Sequence, residues 1–219
     1  RVPADPEVQQ IVEEAYRPHQ ATLNEEIGFT ETMLNRRDYW QSTMGNLVTD
    51  ALRERAGTDV SFFPAWRYGA TILPGKILAE DVYNVVPTDG KIVTYSMNGK
   101  VLKELVENIL QGVSGIDPYA RVGGDMIRFS GMKLDCNLRA KAGSKIRSMM
   151  IGGQPMDEEK EYSIASVHTR FQNNPMFGAT NIKESNKIFV EELIEYVRQK
   201  SPLNVQLDNR INLKTIQFN

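Results

Sequence analysis

A chain of 219 residues is long enough for one sizeable core with an arm to spare. Charged residues make up 25% of it and sum to −2, so no global basic field marks it for nucleic acid, and no apolar run approaches the length that spans a bilayer. The lone Cys136 excludes an internal disulfide and says little about compartment.

In chain order, RVPADPEVQQ carries no charged leader followed by an apolar stretch. The chain reads as a fragment, in which that has no bearing on location. Asp5 can cap a helix with Pro6 at its first position, and Val8, Ile11, Val12, Ala15 and Tyr16 give it one apolar stripe, with Pro18 placed to bend or end it. It sits far from any chemical motif and reads as a connector over 1–24, ahead of a domain over 25–219. Residues 27–34 alternate as a strand with Ile27, Phe29 and Glu31 on one face. STMGNLVTDALRERAG is the clearest helix: Ser42 or Thr43 caps it, Met44, Leu47, Val48, Ala51 and Leu52 form its buried stripe, and Gly57 ends it.

A buried strand is expected at 60–63, then the irregular stretch PAWRYGATILPGK, a short helix at 80–85 and a strand at 91–97. Asn98-Gly99 turns into a second amphipathic helix through Val101, Leu102, Leu105, Val106, Ile109 and Leu110. Past GGDMIRFSG the pattern is mainly strands, at 145–151 and 162–167, with Gly152-Gly153 as a hairpin turn. A last helix carries Val190, Leu193, Ile194 and Val197, and a strand at 211–216 closes the chain. Helices and strands interleave irregularly, which predicts a single mixed-sheet α+β domain behind an N-terminal connector helix.

Catalytic patterns are missing. The two histidines, His19 and His168, lie far apart with no ligand partner at metal-binding spacing, and Cys136 in KLDCNL has no base nearby in sequence. Neither a nucleophile elbow nor a phosphate-cradling glycine motif is present, and Gly123-Gly124 is too short for one. The chain is expected to bind rather than to catalyse, with no metal and no cofactor of its own.

Three stretches carry more chemistry than folding needs. In FFPAWRYGATILPG, Arg67 offers a planar fork suited to phosphate, sulfate or carboxylate, with Trp66 and Tyr68 as flat walls; the alternative is an arginine stacked on a tryptophan at the surface. In DPYARVGGDMIRFSG, Asp125 and Arg128 stand three apart beside two glycines that permit close approach; the alternative is a turn entering a strand with an ion pair. In VHTRFQNNPMFGAT, His168, Arg170 and Phe171 can line a site, or the loop is merely solvated.

In this order, MGNLVTDALR (44–53), FFPAWR ending in Arg67, PGKILAEDVYNVVP (74–87) and KIVTYSMNGKVLKELVE resemble the C-terminal domain of the 5'-nucleotidase family, over roughly residue 27 to the end. Within it, FFPAWRYGATILPG and DPYARVGGDMIRFSGM are most similar to the sulfate thiohydrolases of bacterial sulfur oxidation. The resemblance implies a parent hydrolase, periplasmic or exported, whose absent N-terminal metallophosphoesterase half holds two divalent metals and a catalytic histidine. It also implies that this domain supplies arginines to a small anionic substrate and, in nucleotidases, two phenylalanines that clamp the base. Arg67 matches the family's arginine, while Phe62 stands at its asparagine place. The first clamp position falls at or near Thr88 and the second at His168 or Thr169, with Phe171 close by. The implied site is Arg67, Trp66, Tyr68, Asp125, Arg128 and His168, with no catalytic residue. The partners are the small anion and the missing half, not nucleic acid or membrane. Sulfate release from a sulfur-bearing carrier is the first expectation and 5'-nucleotide hydrolysis the second. A non-catalytic binding module is the rival from another class, and the gene upstream decides it.

Overall fold

A computed structural model describes residues 3–36, 38–65, 71–88, 90–115, 119, 121, 124–167 and 178–213. It begins with helix α1 (Pro6–Tyr16), whose Asp5 side chain accepts from the Glu7 and Val8 amides as the sequence predicts. The helix tightens into a 3-10 turn at Arg17–His19, around Pro18, and resumes as α2 (Gln20–Leu23). Its apolar stripe is not covered: Val8, Ile11 and Val12 are 58–61% exposed.

Strand β1 (Glu26–Thr30) stops four residues short of the expected strand. Thr30 Oγ1 donates to the Thr32 carbonyl and accepts from the Thr32 amide, a local loop that diverts the backbone from the ladder. A register shift between Glu26 and Gly28 also breaks the alternation, so Ile27 and Thr30 are buried while Phe29 is 44% exposed. Helix α3 (Thr43–Ala56) is capped by Ser42, whose Oγ accepts from the Gly45 amide at 3.1 Å, and it ends at Gly57. There follow β2 (Val60–Phe63), β3 (Gly75–Leu78), α4 (Ala79–Val85), β4 (Lys91–Asn98) and α5 (Gly99–Ser114). Asn98 caps α5 by accepting from the Lys100 amide. The rest is β5 (Arg128–Ser130), β6 (Met132–Cys136), β7 (Ile146–Ile151), β8 (Gln154–Pro155), β9 (Glu161–Val167), β10 (Thr180–Ile188), α6 (Phe189–Lys200) and β11 (Ile211–Leu213). Residues 214–216 of the expected last strand lie outside the described residues. Gly152 and Gly153 make the hairpin turn between β7 and β8, both at positive φ as a type I′ turn requires.

The architecture is α+β. The central sheet runs β10-β4-β9-β2-β5, with β2 and β9 parallel and the other pairs antiparallel. A second sheet runs β11-β6-β7-β8, and β1 with β3 forms a two-stranded ribbon. Alternation along the central strands divides the core between the two faces of the sheet. Phe63, Ile92, Ala165 and Val167 join the stripes of α3, α4 and α6 in one cluster. Val60, Phe62, Val93, Tyr95, Met97 and Ile164 join α5 and the second sheet in the other.

A polar tie fixes that second face. Glu107 on α5 is buried, and its carboxylate accepts from the Lys145 and Ile146 amides at 3.0 and 2.7 Å, pinning the helix to the start of β7. Cys136 lies in the same cluster, fully buried. Burial first, then the neighbouring Glu107 and Asp135 charges, push its thiol up to about 12. A thiol-specific reagent at pH 8 should therefore label the native chain only at the rate of opening and label it stoichiometrically in guanidinium. Prompt native labelling would contradict this burial.

Candidate functional site

The strands that lead into the singled-out stretches meet at one end of the central sheet. β2 and β9 run in parallel with Phe62 beside Ser166, so both finish there. Phe63 faces Arg128 and Ile92 faces Val167, so β5 and β4 both begin there. Loops at the carboxyl ends of neighbouring parallel strands are a common setting for a ligand, because two backbones leave the sheet side by side. Trp66, Arg67, Tyr68 and His168 belong to such connections and lie outside the described residues, as do Thr169, Arg170, Phe171 and Phe177. Thr88, which precedes β4 at the same end, is exposed.

Asp125 and Arg128 are described, and the structure brings them together beneath this end. Their side chains are 9% and 5% exposed, with Arg128 Nη2 3.9 Å from Asp125 Oδ2. The same nitrogen donates to the Asp38 carbonyl. Burial lowers the pKa of Arg128, with Asp125 and Asp38 opposing it; an arginine remains a cation at any physiological pH. The void beside it, bounded in part by Trp40, Gln41, Asn46 and Arg210, is about 10 Å³, room for roughly one water and not for a substrate. The geometry is that of a buried ion pair bracing residues 38–41 against 125–127. The Met126 amide donating to the Tyr39 carbonyl adds to the brace.

Gly45 makes room for this arginine. A Cβ there would lie 2.8 Å from Arg128 Cδ and 2.8 Å from the capping Ser42 Oγ. Gly45→Ala should therefore destabilise the chain by about 1–3 kcal/mol, less the roughly 1 kcal/mol that alanine gains in a helix. Urea unfolding of Gly45→Ala alone and with Arg128→Ala measures it. The cost should shrink in the second background, and an equal cost in both would place the strain elsewhere.

Three neighbouring residues carry no site signal in the sequence. Tyr39 and Trp40 stack edge to face, with ring centres 5.1 Å apart, and Tyr39 donates its hydroxyl to the Val113 carbonyl. Their only sequence signal is an adjacent aromatic pair ahead of the Ser42 cap. Arg210, in the bland segment DNRIN, is buried and binds Asp208 through Nε, Thr49 Oγ1 and the Phe129 carbonyl through Nη1, and Asp50 through Nη2. It ties the entry of β11 to α3 and β5. Among the described residues no group of three or more His, Cys, Asp or Glu side chains is arranged to hold a metal ion.

Comparison with known proteins matches residues 20–181 to the family model described as 5'-nucleotidase, C-terminal domain. The chain is 28% identical over 200 residues to Protein UshA of Escherichia coli, a match covering 85% of this chain and 33% of UshA. It superposes on the sulfate thiohydrolase SoxB of Thermus thermophilus with a TM-score of 0.87 and 28% identity, covering all of this chain and 40% of that one. On a 5'-nucleotidase precursor of Thermus thermophilus the TM-score is 0.79 at 21% identity, covering 97% of this chain and 44% of that one, a likeness of fold. The chain thus spans less than half the length of each of these proteins.

Proposed function

The chain belongs to the 5'-nucleotidase C-terminal domain family, and on that premise we propose that it is the substrate-recognition half of a metal-dependent hydrolase that releases sulfate from a small sulfur-linked anion. The observation that supports this reading is the superposition on a sulfate thiohydrolase along the whole chain at 28% identity. Residues 1–24 connect to the other half, and residues 25–219 form the recognition domain. Two divalent metals, held by that other half, supply the activated water.

The work of this chain is binding and orientation. Arg67 takes the anion on its planar fork, Trp66 and Tyr68 wall the pocket, and His168 lines it. Arg128 acts from beneath: its grip on Asp125 and the Asp38 carbonyl sets the two segments that border the site. An exported or periplasmic parent is part of the same proposal. Among the described residues no helix is long and apolar enough to cross a membrane.

The second reading is a true 5'-nucleotidase, supported by family membership and by 28% identity to UshA over 200 residues. The full reading frame tests both against a non-catalytic module: an upstream region with D-x-H and G-N-H-[D/E] motifs is expected, and its absence would sink the hydrolase. In the complete enzyme, Arg67→Ala should lower kcat/KM roughly tenfold to a hundredfold, mainly through KM. An unchanged KM would remove Arg67 from the site.

A further inference from the structure

At the opposite end of β2 and β5 lies a cleft of about 680 Å³, within the roughly 300–1,000 Å³ typical of small-molecule sites. It opens where the chain passes from the central sheet to the second one. Gly131 makes that passage at φ +82, where a Cβ would lie 1.9 Å from the Asp59 carbonyl oxygen. The last turns of α3 wall one side, the β7–β8 turn another, and Tyr196 of α6 and the Asp208–Arg210 segment complete it.

The charges in this cleft are unevenly spoken for. Asp50 accepts from Ser130 Oγ and Arg210, Asp208 takes Arg210 Nε on both oxygens, and Glu54 pairs with Lys200 at 2.8 Å. Every carboxylate is engaged. Arg53 is held through Nε on Ser130 Oγ at 3.0 Å, and its two terminal nitrogens have no hydrogen-bond partner among the described residues. Lys133 and the Tyr196 hydroxyl likewise have none among the described residues. Burial first, then Asp50 and Glu54, push the Tyr196 phenol up to about 12, so it stays protonated and keeps a proton to donate. Each idle group can donate and two are cations, so a fitting occupant brings acceptors and negative charge.

We propose that this cleft is a second binding site, separate from the Arg67 end, for a small anion such as a phosphate or an organic carboxylate, anchored by Arg53 and Lys133 with Tyr196 as a further donor. The Arg53 fork is pre-aimed by its Nε bond, which cuts the ordering cost of capture.

Calorimetric titration of inorganic phosphate and of citrate, at low ionic strength, into the chain carrying Arg67→Ala tests this, because that background silences the first site. Saturable binding of one anion per chain is expected. Adding Arg53→Met or Lys133→Met should each weaken it roughly tenfold to a hundredfold. Lys133 is exposed on β6, so its variant keeps the test valid even if Arg53→Met disturbs the fold. Absence of saturable binding in the Arg67→Ala chain overturns the proposal, as does binding indifferent to Lys133→Met. Neither result touches the reading of the Arg67 end.

Discussion

Leu47→Ala and Leu105→Ala are each expected to cost about 2–5 kcal/mol, and their costs should add. Leu47 is 5% exposed on α3 and packs in the cluster that α3, α4 and α6 build on one face of the central sheet. Leu105 is 4% exposed on α5 and packs in the cluster between that sheet and the second one. Each truncation removes transfer free energy and leaves a cavity that a close-packed interior only partly closes. The sheet stands between the two sites, so neither cavity relaxes into the other. Denaturant unfolding of both single variants and the double variant measures this. Additivity within about 0.5 kcal/mol is the expected result. Negligible loss at both positions would reject the core assignment, and a double variant costing far less than the sum would mean that the two clusters relax as one.

Both helices were readable because an apolar stripe at helical spacing agrees with an end signal at each: a Ser42 or Thr43 cap and Gly57 for α3, and the Asn98-Gly99 turn for α5. Ser42 and Gly57 do in the structure what their sequence positions predict, whereas Asn98, expected in a turn with Gly99, is the cap of α5 and Gly99 its first residue. β10 was not readable for a matching reason. TNIKESNKI has no alternation, because the strand lies at the sheet edge with most of its residues exposed, and its backbone pairing to β4 holds it rather than burial. The early end of β1 depends on one threonine hydroxyl, a signal that no periodicity carries.

The buried polar ties were hidden by distance. Glu107 meets Lys145 and Ile146 across 38 and 39 residues, and Arg210 meets Asp50 across 160. Nothing local marks such residues until the fold brings them together. At the candidate site, residue chemistry was legible and depth was not. Asp125 and Arg128 were visible as a pair three apart, but only the registers of β2 and β5 and the space over Gly45 show them buried beneath the site.

The proposed substrate carries the largest expected effect: the complete enzyme should disfavour 5'-nucleotides against a sulfur-linked anion by roughly one and a half to four orders of magnitude. Resemblance to nucleotidases implies a base held between two aromatic rings, and each stack is worth roughly 1–3 kcal/mol. Two stacks lost, at about 1.4 kcal/mol per tenfold, give that range. That resemblance puts the first ring's place at or near Thr88, which is exposed ahead of β4 and whose side chain has no π-face to offer. It puts the second at about His168 or Thr169, outside the described residues, with Phe171 two or three positions on. Steady-state kinetics on the full-length protein decide between the readings. Slow turnover of 5'-AMP beside fast cleavage of an S-sulfonate is the expected pattern. Thr88→Phe should then recover roughly one stack, about five- to hundredfold in KM for AMP. Efficient AMP cleavage that Phe171→Ala abolishes would instead put Phe171 in the clamp, replace the sulfur-linked substrate with a nucleotide, and leave the recognition role of Arg67 intact.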